Sequence, residues 1–444
     1  MSTELAERVE EFLTASVNGR LGRAAVLLHA DPAIAGYDVR TAVVLGDIQR
    51  VRAAVERDPA LVNRPDERFG WPPLLAACSS RWHRVSREHA DGLLAVARLL
   101  LDAGADANTT AAGRGGQGHC GTLYGAAGCA GNAAITRLLL ERGARPDDHT
   151  VYLAAFAAPE HECLRLLLSV MDSLVESTAL AAPISTDDID GVRLLLDAGA
   201  DPSRPLPGEL FGEPAPDESP VAAAVRTDCQ EGLIALLLAR GGDPNVPGRD
   251  GRSPYRTVLR RGRAEIAALL IRHGVRDDST PADRFLAACH RVDRAEAHRL
   301  AEADPAVVAD LTDRDALLAA ADRGDAGTVA LMLDLGAPID SRAGDDQATA
   351  LHAAAGAGSA EVVRLLIARG ADLTAPDGTW RSPALEWAIV GSGQHLGHDP
   401  NPDWPAVVRA LVEAGAVVPS WGPDKPPSAE VAALLRDYGA EVLS

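Results

Sequence analysis

Two short segments of the chain carry histidines at spacings that could hold a metal ion or transfer a proton. They are His83 with His89, and His395 with His398 and Asp399. Neither spacing matches a defined metal-binding signature, although the residue types are those that bind zinc. A third segment begins His161-Glu162 but has Arg165 where the HExxH motif needs its second histidine. We therefore predict neither a metal ion nor a cofactor.

A catalytic interpretation would use Glu386 as an acid or base, with His83 or His395 as a partner group. The sequence contains no GxSxG motif of serine hydrolases. The run 113–118 formally fits GxGxxG, but it lies between helical segments and not between a strand and a helix, which favours a flexible finger over a phosphate loop. An enzyme or a small-molecule binder is therefore the alternative interpretation of the chain.

The composition argues against several further function classes. The 444 residues carry a net charge of −20, which repels the phosphates of nucleic acids and anionic membrane surfaces. Lys425 is the only lysine, and no nucleotide-binding or Schiff-base motif surrounds it. The sequence has no apolar run long enough for a signal peptide or a membrane span. We expect a cytoplasmic protein without nucleic-acid or membrane partners, and the preference for arginine over lysine favours a bacterial origin.

One recurring phrase indicates the elements that must position these residues. The phrase joins Leu-Leu-Leu to Gly-Ala-Asp, and its related copies contain Gly104, Gly143, Gly199, Gly241, Gly274, Gly370 and Gly415. Its apolar residues have helical spacing, and the glycine ends the helix because it adopts a left-handed conformation readily. A second phrase, clearest in Thr349-Ala-Leu-His352, begins a shorter helix upstream. Each helix pair is too small to bury its apolar face, so neighbouring pairs must stack.

These two phrases resemble the ankyrin repeat, which begins Thr-Pro-Leu-His and closes with Leu-Leu-Leu and Gly-Ala-Asp. The resemblance covers nearly the whole chain. It implies an all-α ankyrin-repeat solenoid of helix-turn-helix pairs with short hairpin fingers, with about twelve repeats and a capping helix over 428–438. It also implies a protein-binding scaffold whose concave inner helices and fingers recognise another protein, although a fold by itself does not establish a function.

A second symmetry divides the repeats into two arrays. The segment 12–32 has the same internal spacing as the segment 285–305, and Pro281 favours a break before the second of them. We therefore expect an N-terminal array of about eight repeats with two insertions over 1–277, and a C-terminal array of about four repeats with the capping helix over 278–444.

Recognition residues are expected where the sequence departs from the repeat, because packing occupies the regular positions. Two repeats, which start at Trp71 and Ser382, carry insertions containing Trp and His, and all six tryptophans lie near the two ends of the chain. The predicted binding residues in these repeats are Trp71, Trp82, His83, Trp380, Glu386, Trp387, His395 and Trp404. Exposed aromatic side chains are typical of recognition surfaces. The alternative is that each inserted loop packs its tryptophan on its own repeat.

A basic segment is a further departure from the repeat. Eight arginines and only two acidic residues lie within 249–276. In the ankyrin pattern Arg252 falls on the finger, and Arg260 and Arg261 fall at the end of the inner helix, positions that face the concave groove. The resemblance thus implies that these three arginines bind a partner. One interpretation of the segment is an anion site. The other is that the acidic, proline-rich finger over 203–220 folds over the arginines and neutralises them.

Overall fold

The structure, a computed structural model, describes residues 3–66, 70–112, 119–157, 160–175, 177–208, 216–309, 315–344, 346–394, 399–419 and 427–440. Over these residues the fold is all-α, as predicted, with one small hairpin of two strands. Twelve pairs of helices follow one another along the chain, in the places that the repeated phrases indicate. None of the described helices is long and apolar enough to cross a membrane.

Residues 1–251 form the first of two compact units. Its helix pairs are α1 (Thr3–Val17) with α2 (Leu21–Ala30), α3 (Val39–Leu45) with α4 (Ile48–Arg57), α5 (Pro73–Ser79) with α6 (Arg87–Asp102), a π-helix (Tyr124–Ala130) with α7 (Ala133–Glu141), α8 (Asp148–Ala157) with α9 (Glu162–Leu168), α10 (Ala181–Ser185) with α11 (Ile189–Asp197), and α12 (Pro220–Arg226) with α13 (Glu231–Ala239). The first helix of each pair contacts the first helix of the next pair, so the first helices form one continuous layer.

Two features outside the helix pairs of this unit bear on the predicted sites. The insertion of the third pair forms a short 3-10 helix, Trp82–Arg84, before α6. Strands β1 (Thr110–Ala112) and β2 (His119–Gly121) pair in antiparallel fashion, with Ala111 opposite Cys120. The GxGxxG run at 113–118 falls between these strands and lies outside the described residues. A hairpin that flanks the run on both sides supports the finger interpretation, because a dinucleotide site needs a strand followed by a helix.

Residues 252–444 form the second compact unit. Its helices are α14 (Pro254–Arg260) with α15 (Ala264–Arg272), α16 (Pro281–His290) with α17 (Arg294–Ala303), the short α18 (Ala306–Ala309), α19 (Asp315–Asp322) with α20 (Ala326–Asp334), α21 (Ala350–Ala357) with α22 (Ala360–Ala368), α23 (Ala384–Gln394) with α24 (Trp404–Glu413), and the single helix α25 (Ala429–Asp437). Helix α25 packs against α24 at the position of the expected capping helix. The expected division into arrays at residues 277 and 278 rests on sequence symmetry and stays a prediction.

The helices begin and end at residues whose chemistry explains their bounds. Second helices begin at polar caps: the carboxylates of Asp47, Asp188 and Asp325 each accept a hydrogen bond of 2.9–3.1 Å from the backbone N–H three residues later. After α22, Gly370 adopts a φ of 84°, the left-handed conformation predicted for it. Leu366 on α22 is fully buried, in a core that neighbouring repeats share.

Candidate protein-binding site

A single buried carboxylate organises the turn between α22 and α23. The side chain of Asp377 accepts hydrogen bonds of 2.6–3.2 Å from the backbone N–H groups of Thr379, Trp380, Arg381 and Ser382. It also accepts a bond of 3.0 Å from the indole Nε1–H of Trp387 on α23. Burial opposes ionisation, but these bonds outweigh it and lower the pKa of the Asp377 carboxyl group. The turn is therefore fixed around a carboxylate that stays charged.

Three aromatic rings lie in contact beside this turn. The indole of Trp380 is 54% exposed and meets the edge of Trp387, with ring centroids 5.7 Å apart and planes at 68°. Trp387 in turn meets the imidazole of His352, at 5.6 Å and 74°. The Nδ1 atom of His352 accepts from the Thr349 backbone at 3.2 Å, so its Nε2–H is the donor to the Ser382 carbonyl at 3.0 Å. Trp380 is thus an exposed ring on a rigid base.

Glu386, the third predicted residue in this region, lies on the first turn of α23. Its Oε2 atom accepts a hydrogen bond of 2.5 Å from the hydroxyl of Ser382. The structure therefore brings Trp380, Glu386 and Trp387 together around one turn. The proposed partners in catalysis are not joined to them here: His83 belongs to the first compact unit, and His395 lies outside the described residues.

Trp82 was expected on an exposed loop, and the structure corrects this expectation. Its side chain is 3% exposed, and its indole Nε1–H donates to the hydroxyl of Ser16 at 2.9 Å. The ring of His89 stacks on it at 5.2 Å, and Phe12 lies 5.8 Å away. The indole N–H of Trp82 therefore has a hydrogen-bond acceptor, and its apolar rings pack against other side chains inside the protein. Trp82 therefore packs inside the protein, but it does so on the first repeat and not only on its own repeat as the alternative stated.

Trp404 was expected on the second inserted loop and is likewise buried. It is the first residue of α24, is 8% exposed, and donates from Nε1 to the carbonyl of Gly356 at 2.9 Å. Trp71 is also buried, and its indole donates to the carbonyl of Ala112 in strand β1 at 3.3 Å. These two tryptophans hold neighbouring segments in place. Neither of them is therefore an exposed aromatic anchor for a partner.

His83 is half-buried and makes a local contact. Its Nδ1 atom lies 3.2 Å from the carbonyl oxygen of Ser80 and donates to it. Burial lowers the pKa of His83, and the charges of Arg84 and Arg81 lower it further, against the opposing effect of the bond to Ser80. The imidazole is therefore neutral near pH 7. Among the described residues no group of three or more His, Cys, Asp or Glu side chains could hold a metal ion.

Two arginines of the arginine-rich segment pair with a carboxylate that lies outside the segment and was not predicted to neutralise it. Asp283, on α16, is fully buried and accepts bonds of 2.6 Å from Arg256 and 2.8 Å from Arg260. Burial opposes ionisation, but the two guanidiniums outweigh it and lower the pKa of Asp283. The side chain of Arg260 is only 11% exposed. The expectation that Arg260 faces an open groove is therefore wrong, because its charge is directed at Asp283.

The acidic finger contacts the arginine-rich segment at Arg249. Glu218, at its base, is buried and pairs with Arg226 at 2.6 Å and with Arg249 at 2.9 Å. Leu206 and Glu218 exchange backbone hydrogen bonds at this point. Two further acidic residues of the finger, Glu209 and Glu213, lie outside the described residues. The described part of the finger thus covers Arg249, as the neutralisation interpretation expects.

A row of aromatic rings that was not predicted from the sequence lies on the first-helix layer of residues 1–251. Tyr124 on the π-helix stacks on His149 at 5.5 Å, His149 lies 6.3 Å from Tyr152, and Tyr152 meets Phe156 at 5.2 Å. Phe156 is 43% exposed. His149, Tyr152 and Phe156 are spaced three and four residues apart, so the sequence did carry a signal that they share one face of a helix. The contact with Tyr124 depends on stacking between repeats.

Comparison with known proteins identified ankyrin repeats in part of the chain. Residues 285–377 match a family model described as ankyrin repeats, in three copies. The solved ankyrin repeat domain of human ASB11 is similar to this chain, with 19% sequence identity over 54% of this chain and 98% of that domain, and a TM-score of 0.24. A comparison with curated proteins gave no match. The chain therefore contains ankyrin repeats, and its fold class is the all-α ankyrin-repeat solenoid.

Proposed function

We propose that this protein is a binding scaffold and that Trp380 is the central contact for a partner protein. Ankyrin repeats generally serve as scaffolds for protein interactions. The observation that carries the proposal is the exposure of Trp380 on a turn that Asp377 and Trp387 hold rigid. A chain with only 4% aromatic residues places this large ring in solvent. An exposed ring of this kind is typical of a binding hot spot.

The rigid base strengthens the argument for Trp380. A side chain that is already fixed loses little conformational entropy when a partner covers it. Trp387 supports one edge of the ring, and the five hydrogen bonds to Asp377 fix the backbone that carries it. A buried indole contributes on the order of 2 kcal/mol to binding in measured interfaces. We propose Trp380 as the anchor and Glu386 as a polar neighbour at its rim.

The aromatic row is proposed as a second contact surface for the same function. Its half-exposed tyrosines and Phe156 offer apolar area with polar groups at its edge, a composition favoured at interfaces. Arg252 and Arg261, which are half-buried, remain proposed as peripheral contacts. A cytoplasmic location and a bacterial origin remain predictions from composition.

Affinity capture followed by direct titration tests the role of Trp380. The wild-type chain, Trp380→Ala and Val417→Ala would each be used as bait in an extract of the source cells, and the captured partner would then be purified and titrated. Val417 is 80% exposed, so it is a matched control for removing surface apolar area. We expect Trp380→Ala to weaken binding about thirtyfold and Val417→Ala to leave it unchanged. Equal affinity of Trp380→Ala and wild type, with both chains folded, would refute the assignment.

A further inference from the structure

The half-buried guanidinium of Arg81 has no hydrogen-bond acceptor and no counterion in the part of the chain that the structure describes. Arg81 precedes the 3-10 helix of the inserted segment, and its backbone N–H donates to the carbonyl of Ser16 on α1 at 3.3 Å. A Cβ atom added at Gly19 would lie 2.6 Å from its Nη1 atom and 3.0 Å from its Cζ atom. The guanidinium therefore lies against the turn between α1 and α2, and its Nε atom is buried there.

Two further basic side chains of the inserted segment lie close to Arg81, and neither pairs with a carboxylate within the described ranges. Arg84 donates from Nη2 to the carbonyl of Ala130, at the end of the π-helix, at 2.7 Å. Burial lowers the pKa of Arg81, and the charge of Arg84 lowers it further, against a smaller opposing effect of Cys129. Burial, Arg84 and Arg81 all lower the pKa of His83. The three basic groups are therefore close enough to influence one another.

An arginine that is withdrawn from water without a counterion destabilises the protein that carries it. The guanidinium cannot avoid this cost by losing its proton, because it stays protonated in proteins. Two other arginines that are withdrawn from water are paired, Arg249 with Glu218 and Arg260 with Asp283. Arg81 differs from both. A bound anion would supply the counterion that the described part of the chain does not.

The acidic field of the whole chain opposes such a ligand, but local charges outweigh it. The net charge is −20, yet charges in solution are screened over about 8 Å at physiological ionic strength. The inserted segment 79–91 contains three arginines against Glu88 and Asp91. Of these acidic residues, Asp91 lies 3.6 Å from Arg87, and Glu88 is exposed on α6. The field close to Arg81 is therefore positive.

We propose that Arg81, His83 and Arg84 form a binding site for a phosphate group. Two guanidiniums carry more N–H donors than the two oxygens of a carboxylate can accept, whereas the three terminal oxygens of a phosphate match two guanidiniums and an imidazole. Inorganic phosphate and a phosphorylated side chain of a partner protein present the same oxygens. The site belongs to the first compact unit and does not rest on the role proposed for Trp380.

Three probes, each titrated into the full chain by calorimetry, test this inference and separate the two sources of phosphate. They are inorganic phosphate, acetyl-Ala-phosphoserine-Ala-amide and the same peptide with unmodified serine. We expect the phosphorylated peptide to bind at least about tenfold more tightly than the unmodified one. Inorganic phosphate that binds as tightly as the phosphopeptide would identify the free anion as the ligand, and tighter binding of the phosphopeptide would identify a phosphorylated side chain. Equal affinities of the two peptides, or no binding of either phosphate probe at millimolar concentration, would overturn the inference.

Three variants locate the binding at Arg81. Arg81→Met keeps most of the aliphatic stem and removes the charge, and Arg84→Gln removes the second guanidinium. Each should weaken binding of the phosphate probes at least about tenfold. Arg87→Gln is the matched control, because it removes one positive charge from the same segment but its side chain is 94% exposed. If Arg87→Gln weakens binding as much as Arg81→Met does, the effect is one of overall charge and the assigned site is wrong.

Thermal melting separates a ligand-binding arginine from a structural one. In buffer without phosphate, Arg81→Met should melt at the wild-type temperature or above it, because the variant removes an unpaired charge. Added phosphate should raise the melting temperature of the wild type and leave that of Arg81→Met unchanged. A much lower melting temperature of Arg81→Met without phosphate would make Arg81 a structural residue and overturn the inference. Trp380→Ala should bind the phosphate probes as wild type does, so failure of this site leaves the scaffold function intact.

Discussion

The indole of Trp404 donates to the backbone carbonyl of Gly356, 48 residues earlier in the sequence, at a distance of 2.9 Å. This hydrogen bond joins α24 to α21. Gly391, on α23, completes this arrangement. A Cβ atom added at Gly391 would overlap the Gly356 carbonyl oxygen and would lie 3.0 Å from the Trp404 Nε1 atom. Two backbones and a buried indole therefore meet at a point that has no room for a methyl group.

Gly391→Ala should destabilise the protein because the added methyl group meets backbone atoms that cannot rotate away. We expect a loss of about 1–3 kcal/mol in the free energy of unfolding, measured by chemical denaturation. Gly22→Ala, on α2, is the matched control, since a Cβ there meets nothing within 4 Å. That control should be neutral or slightly stabilising. A loss in Gly391→Ala no larger than in Gly22→Ala would contradict the packing described.

Truncation of Trp82 should reduce the stability of the protein much more than truncation of Trp380. Trp82→Ala removes a buried ring and the hydrogen bond to Ser16, so we expect a loss of about 3–5 kcal/mol in stability. Trp380→Ala removes a ring that is 54% exposed and should cost less than about 1 kcal/mol. Thermal melting of both variants checks this difference. Similar shifts in melting temperature would mean that Trp380 is also a structural residue.

Asp283 should be essential to the stability of the second compact unit. Asp283→Asn leaves Arg256 and Arg260 without their buried carboxylate, and we expect a loss of about 3–5 kcal/mol in urea denaturation. Glu265→Gln is the control, because Glu265 pairs with Arg263 but its side chain is 49% exposed. An exposed pair contributes less than about 1 kcal/mol. If the two variants lose equal stability, Asp283 does not hold the arginines as described.

His290 should make stability depend on pH. Burial and the charge of Arg323 lower the pKa of His290 to about 4, whereas the unfolded chain has a value near 6.5. Between these values the unfolded state binds more protons, so stability should decrease by on the order of 2 kcal/mol as the pH falls from about 6.5 towards 4. His290→Gln, which can still donate to the Arg260 carbonyl, should show a flatter pH profile. An unchanged profile would assign the dependence to other groups.

Much of the fold could be predicted because it repeats. The spacing of leucines and the glycine at the end of each second helix are local signals, and Leu366 and Gly370 lie where they indicate. The environment of Trp82 is not local. Its partner Ser16 lies 66 residues earlier, so no inspection of the inserted loop could show that the ring is buried.

The partners of the arginines and the aromatic row likewise depend on contacts between repeats. Asp283 lies outside the arginine-rich segment 249–276, although the stacking of repeats places it beside Arg256 and Arg260. The row of Tyr124 and His149 joins two repeats and requires the register between them. Spacing within one helix is read from sequence, whereas contacts between repeats depend on tertiary structure. The sequence indicated Trp380, Glu386 and Trp387 as residues of the candidate site, whereas it did not indicate that Asp377 is buried beneath them.

The two buried carboxylates that pair with arginines, Glu218 and Asp283, each do so within a single compact unit. Glu218 binds Arg226 and Arg249 before residue 252, and Asp283 binds Arg256 and Arg260 after it. A gene interrupted at the junction of residues 251 and 252 would leave both clusters whole on their own fragments. A reporter domain could therefore be inserted at that junction, or halves exchanged between homologous proteins, without separating Glu218 or Asp283 from the arginines described here.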